Sequence, residues 1–282
     1  MKTGLVLEGG AMRGMFSMGV VDVLMEEGLT FDGLIGVSAG AAFGCNVKSK
    51  QPGRVIRYNM AYSRDPRYCS FHSLRKTGDL FGVDFCYHEI PEKLDPFDEA
   101  TYEENPLPFY VVCTDVETGQ AVYHLCENDI KKDIRWMQAS ASMPLAARIV
   151  EIDGGKYLDG GVADSIPLSY FQSIGYEKNL VILTQPKDYV KTKNKALPLM
   201  KRAFKDYPDF LSTIAHRHEV YNDTLAYIEE QEKTGNTLVI RPDASLPIGR
   251  VEHDPKKLRE VYDIGRRKGA ACSAEIRAFL KE

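Results

Sequence analysis

A serine at position 38 lies in the pentapeptide Gly-Val-Ser-Ala-Gly, residues 36–40, which has G-x-S-x-G spacing. Apolar residues precede the pentapeptide and small residues follow it, which predicts a strand, a sharp turn and a helix in that order. A serine on such a turn projects its hydroxyl from a strained backbone, and Gly36 and Gly40 let the turn close without Cβ clashes. This arrangement is typical of nucleophilic attack on an acyl group.

A glycine-rich stretch, Glu-Gly-Gly-Ala-Met-Arg-Gly at residues 8–14, follows a short apolar run and precedes an apolar segment with helical spacing. Its glycines are predicted to lie between a strand and a helix N-terminus, where free N–H groups attract negative charge. Either a phosphate or the oxyanion of a tetrahedral intermediate would suit these groups. The spacing matches neither G-x-G-x-x-G nor G-x-x-x-x-G-K-[ST], so it disfavours a nucleotide.

Two Asp-Gly-Gly triplets, beginning at Asp153 and Asp159, lie close together farther along the chain. The first separates two short strand-like runs, which predicts a hairpin turn at Asp153. The second closes the second run and leads to a helix start near Pro167. Asp159 is therefore predicted to lie at the end of a strand beside a loop, where a carboxylate can be directed at a neighbouring site.

Together these segments resemble the patatin-like phospholipase family, and an Ala-Ser-x-x-x-Pro stretch ending at Pro144 adds to the likeness. The resemblance covers residues 4–185 best and implies a three-layer α/β/α sandwich with a central, mostly parallel sheet. It also implies that Ser38 is the nucleophile and that Asp159, rather than a histidine, is its general base. It assigns the oxyanion hole to backbone N–H groups of Gly9, Gly10 and Ala11, and supporting roles to Arg13, Gly14, Gly36, Gly40, Gly160 and Gly161.

Ala11 and Arg13 are the two positions in the glycine-rich stretch whose roles need separate comment. The family often has a glycine where this chain has Ala11, and alanine disfavours positive φ, so the geometry of the N–H groups is expected to differ slightly. Arg13 has two interpretations. In the first, Arg13 stabilises the oxyanion loop or contacts a phosphate head group. In the second, it makes only local surface contacts, as isolated surface charges usually do.

An α/β-hydrolase also uses G-x-S-x-G, with the chain order Ser, Asp, His. His216, His218 or His253 would satisfy that order. That fold places several strands before the nucleophile, however, and this chain has room for only one strand–helix unit before Ser38. His216 and His218 lie in a stretch predicted to be helical, residues 210–227, where they are interpreted as surface residues. The histidine-assisted mechanism is therefore the less favoured hypothesis.

Net charge, the length of apolar runs and cysteine spacing argue against several classes of protein. A net charge of −4 argues against a nucleic-acid binder, which needs a basic footprint. The apolar N-terminal run is too short for a signal peptide, and no run of about 18 apolar residues predicts a transmembrane helix. Six cysteines without C-x-x-C spacing indicate no metal or redox motif. A cytoplasmic protein with reduced thiols and no cofactor or metal is expected.

The chain is interpreted as one patatin-like domain over residues 1–282, with a core at 4–185 and a C-terminal extension at 186–282. Residues 51–105 are predicted to form short helices over the sheet that suit a lid or an acyl-chain wall. Residues 190–205 combine six basic residues with apolar ones, which suits peripheral contact with an anionic membrane. Further strands are predicted at residues 109–114, 121–125, 179–184 and 237–241, and helices at 128–139 and 254–280.

The sequence thus predicts a serine acyl hydrolase that cleaves carboxylic ester bonds of lipids, phospholipids included, through an acyl-enzyme. The expected partner is a lipid or acyl-ester substrate. A water-soluble carboxylesterase or thioesterase would use the same chemistry on other substrates. A catalytically silent lipid-binding protein on the same fold is the alternative of a different class.

Overall fold

A computed structural model describes residues 1–281 of the chain. The strands are β1 (Thr3–Leu7), β2 (Gly33–Val37), β3 (Phe109–Asp115), β4 (Ala121–Leu125), β5 (Val150–Ile152), β6 (Gly155–Asp159), β7 (Lys178–Ile182) and β8 (Thr237–Ile240). The α-helices are α1 (Gly14–Glu26), α2 (Ala39–Lys48), α3 (Arg54–Tyr62), α4 (Phe71–Thr77), α5 (Glu99–Glu104), α6 (Ile130–Ser140), α7 (Leu168–Ser173), α8 (Leu197–Ala203), α9 (Pro208–Lys233) and α10 (Pro255–Lys281). The strands form one sheet in the order β5-β6-β3-β2-β1-β7-β8, with β4 paired to β3.

The parallel core of the sheet consists of β3, β2, β1, β7 and β8, while β4 and β6 run antiparallel to β3. Because parallel strands end on one edge, the loops that follow β1 and β2 meet there. In the register of the sheet, Val37 pairs with Val112, and Cys113 pairs with Asp159. Ser38, which follows Val37, is therefore brought level with Asp159.

Alternate strand residues face opposite sides of the sheet, as the pleat requires. Leu5 and Leu7 of β1 join a core formed with α1, α2 and α10. Val6, between them, packs on the other face, where α7 contributes Phe171 and α9 contributes Tyr221. A mostly parallel sheet between two helical layers confirms the predicted three-layer α/β/α sandwich.

The short helices predicted over residues 51–105 are confirmed as α3, α4 and α5, together with a π-helical segment, Phe85–Leu94. The predicted strands and the hairpin turn at Asp153 are also present. β7 ends two residues before its predicted end, since the Thr184 N–H donates to the Glu8 carboxylate. Of the basic stretch at 190–205, only α8 is helical.

Helices α1 and α10 pack with their backbones in close approach. A β-carbon on Gly265 would lie 2.0 Å from the carbonyl oxygen of Phe16, so only glycine fits there. Asp22 is buried in the same interface, where its Oδ2 accepts bonds from the Tyr262 hydroxyl at 2.6 Å and the Gly53 N–H at 2.8 Å. Burial raises the pKa of Asp22 to about 6, because the interface disfavours the charged carboxylate.

Candidate active site

Ser38 lies on the turn between β2 and α2, as the sequence predicts, with φ of 54° and ψ of −117°. Few non-glycine residues adopt a positive φ, and the conformation stores strain. The turn is also crowded. A β-carbon on Gly36 would lie 2.3 Å from the Gly40 carbonyl oxygen, and one on Gly40 would lie 2.4 Å from that of Leu7. Glycine at both positions is therefore a steric requirement of the turn.

Ser140, the last residue of α6, holds this turn in place. Its Oγ accepts a hydrogen bond from the Ser38 N–H at 2.8 Å and donates one to the Val112 carbonyl oxygen at 2.6 Å. Both bonds are buried, so they connect the strained backbone of Ser38 to the centre of the sheet. The Ala-Ser-x-x-x-Pro pattern contains Ser140, but nothing in the pattern indicated this role.

The hydroxyl of Ser38 donates a hydrogen bond to Asp159 Oδ2 at 2.7 Å. Both side chains are buried, with 7% of Ser38 and 6% of Asp159 exposed. The second carboxylate oxygen, Oδ1, accepts the Gly161 N–H at 2.8 Å, which fixes the rotation of the carboxylate. Burial raises the pKa of Asp159 above its usual range, while the positive charge of Arg217 opposes that shift.

The glycine-rich loop lies against Ser38. A β-carbon on Gly9 would be 3.1 Å from the β-carbon of Ser38. Within residues 1–281, the backbone N–H groups of Gly9, Gly10 and Ala11 have no hydrogen-bond partner. Ala11 has a φ of 48°, so it adopts the left-handed conformation that alanine was expected to disfavour. The loop that carries these free donors thus lies against Ser38.

The remaining predicted glycines support these two loops. A β-carbon on Gly160 would lie 2.0 Å from the Val112 carbonyl oxygen, and one on Gly14 would lie 3.0 Å from the β-carbon of Ala39. The carbonyl oxygen of Gly161 accepts bonds from the Ser165 hydroxyl, at 2.8 Å, and from the Nε–H of Arg217. These contacts hold the segment that follows Asp159.

Basic side chains also reach the site. Arg13 forms no ion pair within residues 1–281, and its buried Nε has no hydrogen-bond partner there. The surface contacts considered for it are therefore not seen. Arg217 projects inward from α9, between His216 and His218. Nothing in the sequence indicated a role for Arg217, because it lies among polar residues of a long helix.

The histidines do not reach the pair formed by Ser38 and Asp159. The Nδ1 atom of His216 lies 2.9 Å from the Ser212 carbonyl oxygen in its own helix. His253 Nδ1 lies 2.8 Å from the carbonyl oxygen of Ser63. Across the described residues, no histidine hydrogen-bonds to either member of the pair. The structure therefore offers no support for the histidine-assisted alternative.

A cavity of about 440 Å³ opens beside the serine, and Ser38 and Ala11 contribute to its wall. Its volume falls in the range of small-molecule sites, about 300–1,000 Å³. The lining is mainly apolar and comes from α2, α6 and the helices of residues 51–105; it includes Phe43, Phe81, Ile90, Ile134 and Met137. Over residues 1–281 there is no cluster of three or more His, Cys, Asp or Glu side chains that could hold a metal ion.

The chain has relatives among known proteins. The model of the patatin-like phospholipase family matches residues 5–171. The chain belongs to the patatin-like phospholipase family, and it is a lipid acyl hydrolase. The model of a domain of unknown function (DUF6363) matches residues 207–281, which include α9, β8 and α10.

Several relatives resemble the chain over most of its length. It is 28% identical to the uncharacterized protein YjjU of Escherichia coli, over 100% of this chain and 80% of that protein. It is 26% identical to lysophospholipase nte1 of Aspergillus niger, over 93% of this chain but only 17% of that protein. The structure of VipD from Legionella pneumophila matches 96% of this chain and 66% of that chain, with a TM-score of 0.49 and 13% identity.

Proposed function

We propose that the protein hydrolyses carboxylic ester bonds of lipids, phospholipids among them, through an acyl-enzyme formed on Ser38. The observation that carries the proposal is the 2.7 Å hydrogen bond from the Ser38 hydroxyl to Asp159. A general base must lie within hydrogen-bond reach of the proton that it removes, and Asp159 meets that condition. The strained turn that presents the hydroxyl supports the same role.

Acylation begins when Ser38 Oγ attacks the ester carbonyl carbon and its proton passes to Asp159 Oδ2. The carbonyl π electrons move to oxygen, which becomes a tetrahedral oxyanion. When the tetrahedral intermediate collapses, the bond to the leaving alcohol breaks and the alcohol takes the proton from Asp159. The acyl group remains on Ser38 as an ester, and Asp159 is again a carboxylate.

Deacylation repeats the sequence with water. Asp159 removes a proton from the water that attacks the acyl-enzyme, and Ser38 leaves with that proton. The products are a fatty acid, an alcohol or lysolipid, and the free enzyme. Because Asp159 acts in its ionised form, the rate should fall as pH decreases through its pKa, which burial raises.

Two features beside the pair support this chemistry. The free N–H groups of Gly9, Gly10 and Ala11 suit an oxyanion hole, and removal of one such donor from a serine protease costs about 2.7–4 kcal/mol. The apolar cavity next to Ser38 suits the acyl chain, with the helices of residues 51–105 forming much of its wall.

The test is labelling with a fluorophosphonate, which reacts with activated serines, followed by mapping of the adduct by mass spectrometry. We expect an adduct on Ser38 that Ser38→Ala abolishes and that Asp159→Asn slows strongly, while the exposed Ser173→Ala leaves it unchanged. A folded wild-type protein that stays unlabelled would contradict the proposal and favour a silent lipid-binding protein. Hydrolysis of a lysophospholipid, a p-nitrophenyl ester and an acyl thioester then separates lipid hydrolase from esterase or thioesterase.

We also propose that residues 190–205 touch an anionic membrane surface. Leu199 is 58% exposed and Val190 is 69% exposed, and exposed Lys201 and Arg202 stand beside Leu199. No helix among the described residues is long and apolar enough to cross a bilayer. Association with anionic vesicles should weaken with salt and with Leu199→Asp; binding that salt does not affect would oppose this idea.

A further inference from the structure

Arg217 brings a positive charge from the C-terminal part of the chain to the reacting groups. Its Nε–H donates to the Gly161 carbonyl oxygen. The position that a β-carbon on Gly161 would occupy lies 3.1 Å from Asp159 Oδ1 and 3.2 Å from Arg217 Nη2. The guanidinium is therefore adjacent to the carboxylate, and among residues 1–281 it forms no salt bridge.

Lys191 brings a second positive charge. Its Nζ lies 3.7 Å from the ring centroid of Tyr221. Asn222 of α9 holds the backbone of Lys191, accepting its N–H at 2.8 Å and donating to its carbonyl oxygen at 3.0 Å. Burial and the charges of Arg217, Arg250 and Arg13 lower the pKa of Lys191 to about 7, with only Glu8 opposing. The Tyr221 hydroxyl in turn donates to Glu8 at 2.6 Å, and Glu8 directly precedes Gly9, so Lys191 lies close to the glycine-rich loop.

Two further basic residues, Arg13 and Arg250, lie at the glycine-rich loop. The carbonyl oxygen of Arg250 accepts the Met12 N–H at 3.4 Å, which connects the loop at residues 241–254 to the N–H groups beside Ser38. The side chain of Arg250 is exposed, and the buried Nε of Arg13 has no partner within the described chain. We call Arg13, Lys191, Arg217 and Arg250 the cationic cluster.

The acidic groups beside the cationic cluster are already occupied. Glu8 is buried, and its oxygens accept bonds from the Thr184 hydroxyl at 2.9 Å and the Tyr221 hydroxyl at 2.6 Å. Asp159 accepts from Ser38 and from the Gly161 N–H. Within residues 1–281 no member of the cluster forms a salt bridge. The site therefore has an excess of positive charge, and the buried Nε of Arg13 lacks a partner. A bound anion would satisfy both.

We propose that the cationic cluster binds a terminal phosphate on the substrate, so that the preferred substrate is an acyl ester of a phosphate monoester such as an acylglycerol phosphate. This inference rests on the proposed hydrolysis at Ser38. A phosphate monoester carries about −1.5 to −2 charges at neutral pH and presents three acceptor oxygens, which suits several basic side chains. A choline or ethanolamine head group adds a cation that the cluster repels.

The proposal gives the C-terminal part of the chain a role. Lys191, Arg217 and Arg250 all lie outside residues 5–171, which match the phospholipase family. Arg217 and Arg250 lie within residues 207–281, which match a domain of unknown function. On this basis that domain supplies two of the four cations that select the head group, while residues 5–171 supply Arg13, Ser38 and Asp159.

The experiment compares three substrates that share one short acyl chain: 1-acylglycerol 3-phosphate, 1-acylglycero-3-phosphocholine and monoacylglycerol. For the full-length enzyme we expect kcat/KM to be highest for the phosphate monoester, by roughly tenfold, the factor that about 1.4 kcal/mol of binding supplies. Lys191→Gln and Arg250→Gln should reduce this preference, chiefly through KM. The exposed controls Lys256→Gln and Arg267→Gln should retain it. Equal kcat/KM values for the three substrates, or equal effects of site and control variants, would overturn the proposal.

A binding measurement separates this proposal from the hydrolase proposal. Ser38→Ala is titrated by calorimetry with the ether analogues 1-O-alkylglycerol 3-phosphate and 1-O-alkylglycero-3-phosphocholine. Tighter binding of the phosphate monoester, lost with Lys191→Gln, supports the cationic cluster even if no ester is hydrolysed. Hydrolysis without any preference among head groups leaves the hydrolase proposal in place and refutes this one.

Discussion

Replacing Ser140 with alanine tests whether the strained turn needs an external anchor. The substitution removes the acceptor of the Ser38 N–H, at 2.8 Å, and the donor to the Val112 carbonyl oxygen, at 2.6 Å. The Ser38 N–H would then be buried without a partner. Ser38 itself would keep its hydroxyl, and Asp159 would keep its place in the sheet.

The expected cost follows from these two bonds. A buried donor left without an acceptor costs about 1–3 kcal/mol, and loss of an ordinary hydrogen bond costs about 1 kcal/mol. Ser140→Ala should therefore lower the free energy of unfolding by about 2–4 kcal/mol. The backbone strain at Ser38 is itself of order 1–3 kcal/mol, so the turn should also relax away from its reactive shape.

Two measurements test this prediction: urea unfolding, and the rate of fluorophosphonate labelling of Ser38. The labelling rate should fall by about tenfold or more, since each 1.4 kcal/mol of barrier is a factor of ten. Ser142→Ala is the matched control. Its hydroxyl donates only to the Gln138 carbonyl oxygen, at 2.7 Å, so its loss should cost about 1 kcal/mol or less.

The reasoning fails if Ser140→Ala and Ser142→Ala unfold at the same urea concentration and both label at the wild-type rate. That result would mean that the sheet and α2 alone hold the turn. A loss of stability with an unchanged labelling rate would be equally informative. It would restrict Ser140 to a structural role.

Three further predictions concern other parts of the molecule. Asp159→Asn should abolish ester turnover and leave the thermal unfolding midpoint within a few degrees of wild type, because it removes the base but keeps the side-chain shape; turnover near the wild-type rate would refute the pair. Asp22→Asn should stabilise the protein at pH 7 by up to about 3 kcal/mol, at 1.36 kcal/mol per pKa unit. The raised pKa of Asp22, about 6, means that folding favours its protonated form. The wild-type protein therefore loses stability as pH rises through that value, whereas the variant does not. In urea unfolding, the advantage of the variant should disappear below pH 4. Gly265→Ala should cost several kcal/mol, because the new methyl group would lie 2.0 Å from the Phe16 carbonyl oxygen, whereas Gly249→Ala, with nothing nearer than 3.4 Å, should cost little.

Local patterns predicted the elements that carry Ser38 and Asp159. The apolar runs around residues 36–40 predicted strand and helix, and Asp-Gly predicted the hairpin that ends at Asp159. These features depend on neighbours in the chain, so they leave a signal in the sequence. The distance between the two side chains depends on the pairing of β3 with β2 and β6, which no local pattern fixes.

The anchors and cations of the site left no such signal. Ser140 acts through a bond to Ser38, 102 residues away in sequence. Arg217 acts through Gly161, 56 residues away, from a helix whose sequence shows only an ordinary polar face. Lys191 lies in a basic stretch that suggested solvent or membrane, and it is the bonds from Asn222 of α9 to its backbone that place it against Tyr221.

The position of β1 affects how the chain folds during its synthesis on the ribosome. β1 pairs with β2 on one side and with β7 on the other, and α10 covers α1. Residues 5–171 can therefore emerge and collapse while β1 remains an open edge and α1 lacks its cover. Unpaired edges of this kind invite association with other chains, and contacts between such distant segments form slowly. Synthesis of β7, β8 and α10 is thus the step that closes the sheet and covers α1, and a chain terminated before β7 would be prone to aggregate.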